Sequence, residues 1–443
     1  MIGNYEEYPE MLNRLFLEDK TKGFEAKTEG LYARTITFQV TEDCCMKCSY
    51  CYQHNKKPNR MSFEVAKQFI DDLLSGSEKV TCYIPKDSVG IVLEFIGGEP
   101  FLEIDLVSKI TDYYFEECAR LHHPWATRTR ISISTNGLLN FDPRVQSYLK
   151  KHQSHLSLNI TVDGNKQLHD SCRVDLENKG TYDRVIAAVN DYTEKYGKGA
   201  LPTKMTIAPN NVGSLSEAVI EMIEYGYPIV NFNPVYEDVW SRDDARTFYK
   251  QLKQLADYLI EHDKLDPLVC PYMSPVYCHP MLPEDNHNWC GGTGAMIAID
   301  WQGNIYPCIR YMPNALGDDV IPYIIGTVKD GIMSTEQQFE RVNCLSCITR
   351  RSQSTDECFN CPIASGCGWC SGYCYEKYGT ADKRTTFICD LHKARALALT
   401  YMWNKYYRKI HSKDTYPMDI PDEWALQIID KDELRMIKSL IKE

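Results

Sequence analysis

The stretch Thr35-Ile-Thr-Phe-Gln-Val-Thr-Glu-Asp-Cys44-Cys-Met-Lys-Cys48-Ser-Tyr-Cys51 decides the reading of this chain. Its first six residues alternate apolar and polar side chains, the period of a β-strand. Cys44-x3-Cys48-x2-Cys51 then crowds three thiols into one tight loop. A cubic four-iron cluster held by three thiolates keeps one iron without a protein ligand, and an open metal position marks a catalytic rather than a structural site. Zinc prefers paired C-x2-C arms and four closed ligands, which a lone x3/x2 triplet matches badly. Cys45, inside the spacing, reads as a bystander.

Working outward, six strand-like runs alternate with amphipathic helical stretches: Thr35–Val40, Gly90–Ile96, Thr129–Ser134, Leu156–Val162, Thr203–Ile207 and Ile229–Asn233. In Ser62–Leu74 the apolar residues Ala66, Phe69, Ile70, Leu73 and Leu74 share one face, with Ser62 placed as N-cap. Asp142-Pro143 opens a second helix, with proline at the first helical position. Such β/α alternation predicts a parallel sheet with crossover helices, and six units predict an open, partial barrel. Ligands in such folds gather at the carboxyl ends of the strands. Gly97-Gly98-Glu99-Pro100, Ser134-Thr-Asn-Gly137 and Thr161-Val-Asp-Gly164 all fall there, the last followed by His169-Asp-Ser-Cys-Arg173. Read alone, the glycines allow close backbone approach to a ligand, and Asn136-Gly137 and Asp163-Gly164 are strand-ending turns.

At 443 residues the chain exceeds one core. The expected division is an N-terminal segment over 1–34, a barrel over 35–240, a helical bridge over 241–269, a cysteine-rich module over 270–395 and C-terminal helices over 396–443. A net charge of −12 argues against nucleic acid as partner. No apolar run is long enough for a membrane, and the acidic N-terminus lacks secretory character, so a cytoplasmic location is expected. In a reducing compartment nineteen cysteines point to metal ligation rather than disulfides.

The cysteine triplet, Gly97-Gly98-Glu99-Pro100 and the later motifs resemble the radical S-adenosylmethionine (SAM) superfamily. The resemblance implies a partial (β/α)6 TIM-like barrel, a [4Fe–4S] cluster on Cys44, Cys48 and Cys51, and SAM on its open iron. It also implies SAM contacts from Tyr50, Gly97, Gly98, Glu99, Ser134 and Arg173. A guanidinium suits the SAM carboxylate.

Farther on, Cys290 and Cys308 frame a β-hairpin pattern, followed by Cys358-x2-Cys361-x5-Cys367-x2-Cys370 and Cys389. This resembles the SPASM extension, which carries two auxiliary iron–sulfur clusters. The pattern implies Cys358, Cys361, Cys367 and Cys389 at the distal cluster and Cys290, Cys308 and Cys370 at the proximal one. Its usual x3 spacing would land on Ser371 instead of Cys370. The proximal fourth ligand stays open among Cys278, Cys270, Cys374 and a free corner for a substrate thiolate. Cys344 and Cys347 fit neither pattern, and Cys82, Cys118 and Cys172 read as small buried side chains.

The resemblance extends to peptide maturases acting on Cys-x-x-x repeats and implies thioether formation by 5′-deoxyadenosyl-radical hydrogen abstraction on a ribosomal precursor peptide. No catalytic side chain is assigned. Epimerisation and carbon–carbon cross-linking stay open beside it. Anaerobic sulfatase-maturing enzymes place an aspartate base after the cysteine matching Cys308, where this chain has Ile309. An iron–sulfur or zinc protein without catalysis is the alternative of another class. The implied partners are a ferredoxin or flavodoxin donor and, since 34 residues are too few for a leader-binding domain, either a separate leader-binding protein or a leader site on the barrel and extension surfaces.

Overall fold

The computed structural model describes residues 33–197, 201, 203–266, 269–288 and 290–441; all but the last two residues of the expected N-terminal segment lie outside them. Six parallel strands carry the barrel: β1 (Arg34–Gln39), β2 (Ile91–Ile96), β3 (Thr129–Thr135), β4 (Leu156–Ile160), β5 (Thr203–Ile207) and β6 (Val230–Pro234). Helices α1 (Phe63–Ser75), α2 (Ile104–Arg120), α3 (Pro143–His152), α4 (Lys166–Cys172), α5 (Tyr182–Tyr196) and α6 (Leu215–Tyr225) connect them. The architecture is a radical-SAM-type partial barrel with a cysteine-rich C-terminal region.

The predicted caps form. Ser62 accepts from the Val65 N–H, and α1 buries Ala66, Phe69, Ile70, Leu73 and Leu74. Asp142 caps α3, with Pro143 in its first turn. On the helix-covered face of the sheet Phe38 stacks on Phe95 and meets Phe69 edge-on, with both pairs of centroids 6.1 Å apart. Ile91, Leu93, Ile131, Ile133, Leu158 and Ile160 extend this core. Parallel strands buried on both faces are apolar throughout, but here alternate positions are polar. Thr37 lies in register with Glu94, Glu94 with Ser132, and Ser134 with Asn159. The face opposite the helices is therefore a polar lumen, with Ser134 exposed on it.

The six strands do not share one ladder. β5 and β6 pair apart from β1–β4. Across the break, Asp163 Oδ1 accepts from the Thr206 N–H at 3.0 Å and Thr203 Oγ1 donates to the Val162 carbonyl at 3.3 Å. On the other edge the sheet continues beyond the expected barrel. The predicted hairpin exists as β7 (Met296–Ile299) and β8 (Asn304–Tyr306), and β7 pairs in parallel with β1, setting Phe38 against Ile299. Two-residue strands β9 (Gly326–Thr327) and β10 (Gly331–Ile332) complete the order β10-β9-β8-β7-β1-β2-β3-β4.

Helix α7 (Arg242–Glu261), opened by a Ser241/Asp244 capping box, occupies the bridge. The cysteine-rich region adds α8 (Glu336–Ser346) and α9 (Ser371–Tyr378), and the chain closes with α10 (Cys389–Lys409) and α11 (Lys431–Ile441). Helix α10 packs on α7, with Lys405 and the Tyr401 hydroxyl both bonded to Asp257. It runs without interruption through the expected boundary at 395/396. Among the described residues no helix is long and apolar enough to cross a membrane.

Candidate active site

The loop after β1 is clamped from two sides by backbone hydrogen bonds. The N–H groups of Gly98 and Glu99 donate to the carbonyls of Thr41 (3.2 Å) and Asp43 (2.9 Å), while those of Lys47 and Ser49 donate to Val174 (2.8 Å) and Cys172 (2.9 Å). The clamps flank the trio and come from the segments carrying Gly97-Gly98-Glu99 and Arg173. A Cβ on Gly97 would stand 2.6 Å from the Thr41 carbonyl oxygen, and one on Gly98 2.2 Å from that of Asp43. The space these glycines create is filled by the loop itself. Glu99, buried, accepts from Thr135 Oγ1 at 2.7 Å, the Asn136 N–H at 2.8 Å and the Phe101 N–H at 3.1 Å, tying the end of β2 to that of β3.

Cys44, Cys48 and Cys51 are electrostatic neighbours, with Arg173 and Lys56 close by. Burial pushes the Cys48 thiol up to about 11 against the pull of Arg173. Burial opposes the Lys56 charge, but the three cysteines together hold its pKa above the ordinary lysine value. Cys45 is more than a bystander: it contacts Cys44 and accepts from Asn136 Nδ2 at 3.2 Å. Tyr50 donates its hydroxyl proton to Asp163 and accepts from Arg173 Nη1 at 2.9 Å. Asp163 is fully buried, and desolvation raises its carboxyl pKa despite Arg173 at 4.0 Å. Arg173 Nε is buried with no hydrogen-bond partner among the described residues. That orphaned donor beside a cysteine trio fits a ligand carboxylate. Asn136 and Asp163 stood within motifs noted only as turns, and Lys56 carried no spacing signal.

In the C-terminal region the cysteines form two sets. Cys308 neighbours Cys290 and Cys370, Cys290 Sγ lies 3.0 Å from Ser371 Oγ, and Arg310 faces Cys370. Cys389 neighbours Cys367, Cys358 and Cys361, with Arg384 near Cys361 and Cys367. Both Cys370 and Ser371, the two residues in competition for one spacing, thus reach the proximal set. Of the proposed fourth ligands, Cys278 sits with Cys361 and Cys367 in the distal set and Cys270 neighbours Arg395. Cys374 neighbours Cys370, with Trp369 and Thr385 close to its thiol. Cys344 and Cys347 are both exposed at the end of α8; Cys118 and Cys172 are buried, and Cys82 only half-buried. A cavity of about 730 Å³ lies between the sets, touching Cys290 and Cys367 and lined by Tyr236, Trp369, Arg384 and Arg395.

Burial pushes the Cys370 and Cys361 thiols up to about 11 and Cys389 up to about 12. Such thiols ionise only against positive charge, and a bound metal inverts this balance. A four-iron cube takes each thiolate on a separate corner, so its ligands stand wider apart than those around one ion. Among the described residues no three His, Cys, Asp or Glu side chains are arranged to hold a single metal ion. Each cysteine set also has a basic side chain beside it: Lys56 and Arg173, Arg310, and Arg384. These donor sets fit anionic thiolate-bound clusters.

The model of the Radical SAM superfamily matches residues 38–211, and those residues are a radical SAM domain. The chain carries a radical SAM enzyme domain, and its cofactors are SAM and [4Fe–4S] clusters. It is similar to the radical SAM cyclopropyl synthase TigE of Paramaledivibacter caminithermalis, with 22% identity over 82% of this chain and 73% of that protein. A cysteine-type anaerobic sulfatase-maturating enzyme of Clostridium perfringens is 21% identical over 80% of this chain and 92% of its own length. The fold matches the solved structure of native anSMEcpe with bound AdoMet and Kp18Cys peptide at a TM-score of 0.57 and 18% identity, covering 85% of this chain and 97% of that one.

Proposed function

We propose that this chain modifies a ribosomally made precursor peptide and forms cysteine thioether cross-links. The observation that carries the reading is Ile309, which follows Cys308 of the proximal cysteine set at the place where a sulfatase-type base would stand. In this reading Cys44, Cys48 and Cys51 hold the SAM-binding cluster, Cys290, Cys308 and Cys370 the proximal cluster, and Cys358, Cys361, Cys367 and Cys389 the distal one. Residues 35–240 form the radical SAM unit and 270–395 the auxiliary-cluster unit.

When bound, the cluster and SAM supply a radical able to take hydrogen from an unactivated C–H bond. The rest falls to side chains. Arg173, held by Tyr50 and Asp163, would pair with the SAM carboxylate. Gly97, Gly98 and Glu99 act by holding the trio's loop and the β2–β3 end in place. Ser134 and Asn159 line the polar lumen through which SAM and peptide meet. The net charge of −12 argues against nucleic acid as a partner. Ferredoxin or flavodoxin as donor and a separate leader-binding protein complete the proposal.

The similarity to the sulfatase-maturating enzyme over 92% of its length supports formylglycine formation as a second reading. Anaerobic co-expression with the precursor peptide encoded beside this gene, followed by tandem mass spectrometry, separates the two. Thioether formation removes two hydrogens per bond and blocks the cysteine from alkylation. Formylglycine instead replaces the cysteine sulfur by a carbonyl, and finding it would overturn the proposal.

A further inference from the structure

Two residues past Cys308, Arg310 occupies the junction of three parts of the molecule. Its Nη2 donates to Glu237 Oε1 at 2.8 Å, just beyond β6. Its guanidinium lies 4.8 Å from the centroid of the Tyr52 ring, next to Cys51, and 5.8 Å from that of Tyr373 in α9. Only 15% of the side chain is exposed. Gly372 makes the position possible, since a Cβ there would stand 2.4 Å from Arg310 Cβ. Asp238 N–H donates to Tyr373 Oη at 2.8 Å, and Lys377 lies 3.3 Å from Asp238, so α9 and the turn after β6 close around the pair. A second tether joins the same parts: Asn55 Nδ2 donates to Asp318 Oδ1 at 3.0 Å.

The charge is aimed at the proximal cysteines. Cys370 and Glu237 are both electrostatic neighbours of Arg310. The backbone N–H of Arg310 lies near the Cys308 sulfur, and that of Tyr373 near the Cys370 sulfur. Net charge and hydrogen bonds to sulfur are among the features that set the potential of an iron–sulfur centre.

We propose that Arg310 and Glu237 form an opposed charge pair that tunes the one-electron couple of the proximal cluster, Arg310 easing its reduction and Glu237 restraining that effect. Arg310 is thereby a positioning residue that joins the proximal centre to the Cys44–Cys51 loop through Tyr52. The inference rests on the reading that Cys290, Cys308 and Cys370 hold a cluster. Reduction adds one negative charge to the cluster and changes nothing else, so a neighbouring cation favours the reduced form and a neighbouring carboxylate disfavours it.

The test is a spin-resonance-monitored redox titration of anaerobically reconstituted full-length protein, with the distal cluster as internal reference. Arg310→Gln is expected to move the proximal midpoint to more negative potential and Glu237→Gln to more positive potential. Arg310→Lys, which keeps the charge but loses the stacking, should retain most of the wild-type value. The double variant Arg310→Gln/Glu237→Gln should return towards wild type, a cancellation that mere loosening of the junction would not produce. An unmoved proximal midpoint in both single variants, with iron content unchanged, overturns the inference. A wild-type protein whose iron content is unaffected by Cys308→Ala instead overturns the ligand reading beneath it.

Discussion

The Cys44–Cys51 loop and the Cys290–Cys389 segment offer the same ligand type from opposite kinds of scaffold. The first hangs between two clamps of backbone hydrogen bonds, at the end of a strand whose Ile36 and Phe38 are completely buried. The second draws its sulfurs from 3₁₀ turns, four-residue helices and helix starts, beside a small core of residues such as Tyr306, Tyr311 and Met312. One site is held by backbone ladders, and the other is expected to draw more of its order from its metal. Structural metal binding is then folding free energy for the second region but not for the first.

The sharpest break between the two would come from Cys48→Ala. It should reduce 5′-deoxyadenosine formation to background, measured chromatographically, while circular dichroism and iron bound in the auxiliary sets stay close to wild type. Chelation of iron should next separate the regions by hydrogen exchange: residues 290–389 are expected to lose protection wholesale and β1–β4 to keep theirs. Equal loss in both would refute the contrast. In the barrel, Phe69→Ala removes a fully buried ring and should cost about 3–5 kcal/mol in denaturant unfolding. Replacing Arg173 by Gln should weaken SAM binding by about 1.5–3 kcal/mol, read by calorimetry, from loss of a charged hydrogen bond.

A further break comes from pH. Burial pushes His169 in the barrel and His392 in α10 each down to about 3, so both fold as neutral imidazoles. The unfolded chain binds these protons from about pH 6.5 downward. Stability is therefore full above that pH and falls as pH drops towards 3, by about 1.4 kcal/mol per pH unit for each histidine. A His169→Gln variant should show a flatter acid limb in urea unfolding; an unchanged slope would remove His169 from this account.

Much of the barrel was legible because its signals are local. Alternation marked all six strands, and Ser62 and Asp142 marked helix starts. The β4–β5 break was not legible, since a side chain, Asp163, does the joining there and the alternation of Leu156–Val162 runs on unchanged. Nor was the pairing of β7 with β1, because a hairpin pattern announces only its own partner and not a strand some 260 residues away. At the site, spacing runs Cys358 to Cys370 together, and it was the resemblance that divided them, with Cys370 beside Cys290 and Cys308. Lys56, Asn136 and Arg310 were not assigned roles because a charge or an amide acts through space and has no spacing. Gly97 and Gly98 stand where their motif puts them, and their missing side chains also admit the Thr41 and Asp43 carbonyls of the loop.

The central claim is that the N-terminal trio keeps an iron corner for SAM. Pulsed electron–nuclear double resonance on anaerobically reconstituted, reduced protein with SAM labelled at its amino nitrogen tests it most directly. The account predicts a nitrogen coupling to the cluster that appears with SAM and disappears in Cys48→Ala. Zinc in place of iron at the trio, or a cluster spectrum indifferent to SAM, would contradict it.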